Sequence, residues 1–394
     1  MSEFGDIRHP SDHDAVRDIV SRAFSMTGAD EDRHARWSAY RDTVGRENFR
    51  CLRRGDTVVA GLCVYRMGQW WGGRAVPMGG VAAVGVAPEH RGTGAALEIL
   101  AEQLQELRAQ GFPLSVLYPA TQRPYRKVGY EQAGSCCQWS LPLSQIGTMN
   151  RDLPCERIST ANGLLRGVHR LRGTTTPGTL ERNDAIWTRL LRETVTPVDA
   201  YLLGTREDPQ GYVVFTYDRV GDPYDILVRD AVALTPAAVA RLWALLGDHR
   251  SVGGEARWAG PSHEPLLTSL AEQRARLVTW ERWMLRLVDV PGAFSARGYP
   301  AEVEAEVHLE VTADPVIPEN VGRWRVQVSG GRAEVTSGGR GTLQASIGGL
   351  ASLYAGLFRA TELVRLGLVE ASNSALECAD RLFSGPEPWM NDRF

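Results

Sequence analysis

Residues 81–107, VAAVGVAPEHRGTGAALEILAEQLQEL, constrain this chain more than any other stretch. Val81, Ala83, Val84 and Val86 make a short apolar strand, interrupted by Gly85 and stopped by Pro88, which has no N–H to give a ladder. Arg91-Gly92-Thr93-Gly94 follows. Leu97, Leu100, Leu104 and Leu107 then recur at helical spacing, Ile99 widens the stripe, and Gly111 stands where a C-terminal cap belongs. The stretch reads as strand, glycine loop, helix. The first N–H groups of a helix lack intrahelical acceptors and carry the positive end of its dipole, so such a turn can capture an anion. Gly92 and Gly94 let a pyrophosphate approach the backbone with no Cβ in the way, and Arg91 adds a charge. A plain tight strand-to-helix connection is the alternative that the turn alone leaves open.

The ligand can be narrowed. A dinucleotide-binding unit wants Gly-x-Gly-x-x-Gly and an acidic residue roughly 20 residues on, but the third glycine position here is Leu97. A Walker loop needs Gly-Lys-Ser/Thr, which does not occur. What remains resembles the acyl-coenzyme A loop of the GNAT N-acetyltransferases, whose pattern Arg/Gln-x-x-Gly-x-Gly/Ala is met by Arg91, Gly94 and Ala96. The next strand, residues 114–118, leads into PATQRPYRKVGYEQAG, with Tyr125 and then Gly129-Tyr130. Strand, loop, helical turn with a tyrosine, then Gly-Tyr is also the GNAT order. The resemblance implies a tyrosine, Tyr125, near the coenzyme sulfur as general acid. Taken alone, a tyrosine packed at a strand edge would serve as well.

At 394 residues the chain calls for about two to four domains. Its hydrophobic fraction of 43% and charged fraction of 23% are those of a water-soluble globular protein. A formal charge of −3 gives no electrostatic argument for nucleic acid. The polar N-terminus has no signal-peptide core, and no run approaches the roughly 20 apolar residues of a membrane span, so a cytoplasmic protein with no membrane partner is expected. Cys51, Cys63, Cys136, Cys137, Cys155 and Cys378 form no Cys-x-x-Cys pair, which points to reduced thiols. The histidines make no helical pair, so no metal is expected.

Taken in order, residues 11–24 have helical spacing with Ser11 as N-cap, and residues 33–40 form a second amphipathic piece holding Trp37. Residues 49–52 and 57–65 alternate across Arg54-Gly55-Asp56 as a hairpin, and residues 76–86 complete an antiparallel set. This is the GNAT element order, and the resemblance implies a bulge in the strand before the loop, which Gly85 would supply. Residues 151–182 show little pattern. Strands at 212–217 and 224–228 and a helix holding Val239, Leu242, Trp243 and Leu246 then repeat the order without Arg-Gly-x-Gly. This is a degenerate second copy that kept the fold and lost the phosphate site, or else a chance likeness among α/β units. From residue 301, Val303, Ala305, Val307, Leu309 and Val311 alternate with acidic residues and His308. Residues 323–328 and 332–336 alternate across Ser-Gly-Gly, and helices at 349–358 and 374–383 close the chain. The segment resembles a sterol-carrier-like domain after a linker at 291–300, with apolar residues serving as its own core.

The tail GPEPWMNDRF carries two prolines and two large aromatics, which argues for a docked end. With it, the chain resembles the Eis family of acetyltransferases over essentially its full length. The implied fold class is α+β: two GNAT-type domains, the second degenerate, plus a C-terminal sterol-carrier-like domain, at residues 1–145, 146–290 and 291–394. The resemblance implies acetyl-CoA as co-substrate, the Phe394 α-carboxylate as base and Tyr125 as acid. It also implies that backbone N–H groups near Val84 polarise the thioester, and that Val86, Arg91, Gly92, Thr93, Gly94, Ala95 and Thr121 hold the coenzyme. Phe24 and Trp37 match aromatic substrate positions. Arg393 and Ser25-Met26 stand where acidic residues would suit a polyamine, and Asp30, Glu31, Asp32 and Asp392 are the available substitutes. The expected acceptor is a small-molecule amine, of aminoglycoside type. A protein lysine or peptide N-terminus is an alternative, as is a non-enzymatic lipid-binding scaffold. The family also implies a homo-hexamer.

Overall fold

Strand and helix periods alternate along the chain, and the computed structural model resolves them into elements over residues 2–7, 9–24, 30–160, 163–192, 196–219 and 223–394. Ser25 and Met26 lie outside the described residues. In order come β1 (Ser2–Asp6), α1 (Pro10–Ala23), α2 (Asp30–Val44), β2 (Phe49–Arg54), β3 (Thr57–Trp71), β4 (Arg74–Val86), α3 (Ala95–Ala109), β5 (Leu114–Leu117), α4 (Gln122–Lys127) and β6 (Glu131–Pro142). Next are β7 (Cys155–Ile158), α5 (Leu164–Gly173), β8 (Leu180–Glu181), α6 (Asp184–Leu191), β9 (Asp199–Gly204), β10 (Pro209–Asp218), β11 (Tyr224–Ala233), α7 (Pro236–Gly247), β12 (Gly253–Gly260) and β13 (Arg276–Leu287). The chain closes with α8 (Val290–Ala296), β14 (Ala305–Val311), β15 (Gly322–Ser329), β16 (Arg332–Ser337), β17 (Leu343–Ala345), α9 (Ile347–Ala355), α10 (Ala360–Arg365), β18 (Val369–Ala371) and α11 (Asn373–Phe383).

These elements gather into two compact units that cut across sequential segments. One holds Met1–Ala133, Trp283–Gly385 and Phe394; the other holds Gly134–Arg282 and Pro386–Arg393.

In the first unit the strand order runs β1-β2-β3-β4-β5-β13. β3 and β4 are antiparallel, β4 and β5 parallel, and the last residues of β13 antiparallel to β5. α1 lies on this sheet because glycine leaves it room. A Cβ at Gly61 would come within 2.7 Å of Val16, and one at Gly85 within 2.9 Å of Ile19. α1 begins one residue before the expected Ser11 cap: Pro10 occupies its first turn, and the Asp12 carboxylate accepts the His9 N–H at 2.9 Å. Below α3, Ile99, Leu100, Leu104 and Leu107 join Leu62, Val81, Leu117 and Tyr125 in one buried cluster. Each such leucine contributes about 1.5–3 kcal/mol on burial.

The same unit carries a five-stranded sheet, β16-β15-β14-β17-β18, with Val307, Leu309 and Val311 turned inward. The expected linker at 291–300 is helical in its first part, α8 ending at Ala296. Asp289 caps it, accepting the Gly292 N–H at 3.1 Å, and Phe294 is buried against the rings of Tyr354 and Phe383. Pro291 sits in the first turn, where a missing N–H costs nothing.

The second unit orders its strands β6-β12-β11-β10-β9-β7. The region 151–182, patternless in sequence, contains β7, α5 and β8. Its helical stripe is hidden because the buried face of α5 carries His169 and Arg172 beside Leu165 and Val168. Those polar groups meet a fully buried carboxylate: Asp230 accepts from Arg172 at 3.1 Å, Arg182 at 2.6 Å and Tyr212 at 2.5 Å. Burial alone would raise the Asp230 pKa, but Arg182 and Arg172 outweigh it and hold the carboxyl well below the usual range. Burial, then Arg182 and Arg172, push His169 well below its ordinary 6.5, so the ring is neutral. It donates from Nε2 to the Leu180 carbonyl at 2.9 Å and accepts from Arg172 at Nδ1.

The unfolded chain protonates this histidine near 6.5 and the folded chain does not, so its contribution to stability is full above that pH and lost as pH falls below it. Asp230 loses its contribution only below about 3.9, its unfolded value. Urea melts between pH 7 and 5 should therefore show a loss approaching about 1.4 kcal/mol per pH unit below 6.5. That loss should be smaller in His169→Gln, the remainder coming from His13 and His249, which burial also holds below the ordinary value.

Candidate active site

The glycine loop folds as its composition requires. Gly92 and Gly94 take φ of +77° and +87°, a region costly for a side chain, and Gly94 is the N-cap of α3. No side chain caps that helix. None of the N–H groups of Gly92, Thr93, Gly94, Ala95 and Ala96 donates to another described residue. A Cβ at either glycine would meet nothing within 4 Å, so the loop faces open space. Arg91 is exposed beside it. Thr93 is the loop's own brace, its hydroxyl donating to the His90 carbonyl at 2.7 Å. Arg54 of β2 donates to the Thr93 hydroxyl at 2.8 Å and to Glu98 at 2.9 Å. In the sequence Arg54 has only the signature of a hairpin turn, so its contact with the loop leaves no local sign.

β4 shapes the floor. Leu62 of β3 faces two residues of β4, Ala83 and Val84, since Gly61 pairs with Gly85 and Cys63 with Ala82. Ala83 is the one non-glycine residue described with positive φ, at +51°. The bulge is therefore at Ala83-Val84, not at Gly85, whose lack of a side chain serves the packing of Ile19. β5 accompanies β4 only from Met78–Leu114 to Gly80–Val116; beyond Gly80, β4 runs on to Val86 without it. The two strands part, leaving one edge of β4 open beside Val84 and Val86, both half-buried.

Three aromatic residues stand where the strands separate. Phe394, the last residue, has its ring centroid 5.7 Å from that of Tyr65 and 6.2 Å from that of Tyr118. It rests on Gly80, where a Cβ would fall 2.7 Å from its Cε2. The Gly79-Gly80 pair inside a strand was the readable sign of a close approach. Gly80→Val should unseat the terminal ring and lower kcat at least ten-fold, with coenzyme A affinity, measured by calorimetry, changing less than three-fold.

Tyr125 lies in α4 with its ring 6.1 Å from that of Tyr130, whose hydroxyl bonds Ser115, which in turn donates to the Gly79 carbonyl at 3.0 Å. Burial raises the Tyr125 pKa above the ordinary phenol value, and its hydroxyl has no hydrogen-bond partner among the described residues. The turn after it is held by fully buried Arg286, which donates to the Val128 carbonyl at 2.8 Å and to Asp314 at 2.5 Å. Thr121 is exposed at the N-cap position of α4 and makes no capping bond.

The two aromatic positions expected at the acceptor separate. Phe24 is half exposed at the end of α1. Trp37 is buried against Tyr40 and Phe49. Tyr40 in turn bonds Cys63 at 2.8 Å and Tyr65, the neighbour of Phe394.

Residues 7–133 and 178–287 each match the acetyltransferase (GNAT) domain family, and residues 290–391 match the sterol carrier protein domain family. An uncharacterized N-acetyltransferase of Streptomyces griseus is 30% identical over 354 residues, 82% of this chain and 83% of the relative. The N-acetyltransferase Eis of Mycobacterium tuberculosis is 27% identical over 321 residues, 76% of each chain. The crystal structure of a GCN5-related N-acetyltransferase from Anabaena variabilis superposes with a TM-score of 0.95 at 41% identity, over 100% of both chains.

The chain belongs to the Eis family of GNAT N-acetyltransferases.

It is thus an acyltransferase, and acetyl-CoA is the co-substrate that GNAT acetyltransferases use. The uncapped start of α3 and the open edge of β4 fit such a ligand. The second domain of this Eis-family chain repeats the topology: β10 and β11 are antiparallel with a bulge at Arg229, and β11 is parallel to β12. Its helix start differs. Thr235 caps α7, accepting the Ala238 N–H at 3.1 Å, and Pro236 has no N–H to offer. At this start Ala238 and Val239 already donate to Thr235 and Pro236 has no N–H, so fewer groups are left to meet a phosphate than at the start of α3.

Proposed function

We propose that the first GNAT domain transfers the acetyl group of acetyl-CoA to a small-molecule amine, with the Phe394 carboxylate as general base and Tyr125 as general acid. The observation that carries this reading is the terminal phenyl ring seated on Gly80 where β4 leaves β5. On this reading the α-carboxylate next to that ring, whose ordinary pKa is roughly 3.5, serves the opening. Arg91 and the N–H groups of residues 92–96 bind the pyrophosphate, and Val84 and Val86 present backbone to the pantetheine arm and thioester. Acetyl-CoA supplies an acyl group already activated as a thioester.

The remaining chemistry belongs to the chain. The carboxylate of Phe394 takes a proton from the attacking amine as its nitrogen bonds the carbonyl carbon. As the carbon–sulfur bond breaks, Tyr125 gives its phenolic proton to the departing sulfur. Solvent or product restores both groups. Orientation does most of the work, since a neutral amine attacks a thioester readily once placed.

Aminoglycoside-type polyamines are the acceptor class proposed first. Glu31 and Asp32, exposed on α2, and half-exposed Phe24 support it as acidic and apolar contacts for a polycation. A protein or peptide amine is the second reading. A homo-hexamer is proposed as the assembly, supported by the apolar residues Leu277, Val278 and Trp280 exposed along β13. Among the described residues no helix is long and apolar enough to cross a membrane.

An acetyl-transfer screen over aminoglycosides, simple polyamines and lysine peptides, paired with calorimetry of coenzyme A, tests the reading. Micromolar coenzyme binding, lost in Arg91→Ala, and turnover with polyamines are expected. Absence of coenzyme binding would overturn it in favour of a scaffold.

A further inference from the structure

The chain's last residues are bound within the second unit with unusual completeness. Residues 388–390 pair with β6 at Ser135: the Ser135 N–H donates to the Pro388 carbonyl at 3.0 Å and the Met390 N–H to the Ser135 carbonyl at 3.1 Å. Glu387 accepts from the hydroxyls of Ser135 and Ser262 at 2.5 and 2.6 Å. The Arg172 guanidinium lies 5.3 Å from the centre of the Trp389 ring. Asn391 donates to the Arg229 carbonyl at 2.7 Å and to Asp230 at 3.2 Å. Asp392 accepts both its bonds from the fully buried Arg182, at 3.0 and 2.9 Å, and Arg182 also holds Asp230.

The place these residues occupy is specific. β12 accompanies β11 only as far as Leu227, and β11 then runs on to Ala233 past the bulge at Arg229, as β4 runs on past its own. A cavity of about 310 Å³ opens there, lined by Asp230, Trp258, Trp389 and Asn391 among others. Asn391 reaches the carbonyl that the bulge frees from the ladder. The tail thus lies along the strand edge that a cofactor arm would use in an active copy, beside a helix whose N-terminus Thr235 has closed.

We infer that the second GNAT domain is a holder for the chain's own end, with the Arg182–Asp392 pair as its latch, so that Arg182, Asn391 and Asp392 are positioning residues for the terminal carboxylate. This rests on the reading of Phe394 as base. Asp392 stands two residues before that carboxylate, so fixing it limits the travel of the end group to roughly 7 Å of chain. A free tail would sample far more space, and general-base catalysis falls steeply with misplacement. The fold of the inactive copy is kept, on this view, because its vacated cofactor edge was put to another use.

Carboxypeptidase A tests this directly, since it releases an exposed C-terminal phenylalanine and stalls at the arginine that follows. Intact mass reports release of Phe394 from the full chain, alongside kcat and coenzyme A affinity. Asp392→Ala should speed release at least ten-fold and lower kcat at least ten-fold, with coenzyme affinity unchanged within two-fold. Asp392→Asn, which keeps an acceptor for Arg182, should fall between. Deleting Phe394 in the Asp392→Ala background should cost no more than deleting it alone. Release and kcat equal to the parent chain's in a folded Asp392→Ala, or additive losses, would overturn the inference. Should Asp392→Ala not fold because Arg182 is left partly unpaired, Asn391→Ala strands no buried charge and is judged by the same readouts. If deleting Phe394 leaves kcat intact, the base assignment fails by itself, and the release rates still decide whether this domain holds the tail.

Discussion

Deleting Phe394 alone should lower kcat at least 100-fold while coenzyme A affinity stays within about three-fold. A positioned general base supplies roughly 10²–10⁴ in rate, and the deletion removes both the ring that seats on Gly80 and the carboxylate beside it. The shortened chain still ends in a carboxylate, but one residue back, a retreat of about 3.5 Å. It also ends on Arg393, which pairs with Glu281 at 2.8 Å instead of entering the opening between β4 and β5. Extension should act like deletion: a single glycine added after Phe394 turns its carboxylate into an amide that cannot take a proton. Thiol release in steady state, with calorimetry for the coenzyme, measures both. Unchanged turnover in either variant would reject the base.

Tyr125→Phe should lower kcat about 100-fold, also with little change in coenzyme affinity, because only the hydroxyl is lost and the ring keeps its contact with Tyr130. The pH dependence separates acid from packing. Burial raises the Tyr125 pKa above the ordinary phenol value of about 10, so the acid form is fully present through neutral and mildly alkaline pH and is lost only as pH rises past that raised value. The parent enzyme should therefore show no decline in kcat below about pH 10. The variant should be slow at every pH and gain, not lose, relative to the parent at the alkaline extreme. A decline in the parent centred near neutrality would point to another acid.

How much of this was legible depends on what each residue was for. The turn at Gly92 and Gly94 could be read because its positive φ leaves composition little choice, and the helical turn carrying Tyr125 because the strand before it fixes the element order. The Gly85 reading failed on physical grounds. Glycine in a strand marks either a bulge or a close neighbour, and here Ile19 is the neighbour while Ala83 carries the positive φ. α5 was invisible because its buried face is half polar, the polarity being explained by Asp230, far away in sequence. The segment 291–300 looked like a linker because Pro291 and Pro300 flank it, yet Pro291 is tolerated in a first turn. The division of the chain was beyond any local pattern, since nothing in the sequence around Ala133 or Arg282 marks where one unit gives way to the other. Trp37 shows the limit of reading aromatics, since one buried against Tyr40 and Phe49 leaves the same trace in sequence as one lining a cleft.

A crystal structure with coenzyme A and an amine acceptor bound is the most direct test of the central claim. The expected result has the pyrophosphate on the N–H groups of residues 92–96, the sulfur within hydrogen-bonding reach of the Tyr125 hydroxyl, and the Phe394 carboxylate facing the amine. A pyrophosphate bound elsewhere, or a terminal carboxylate turned to solvent while the amine sits at the thioester, would contradict it.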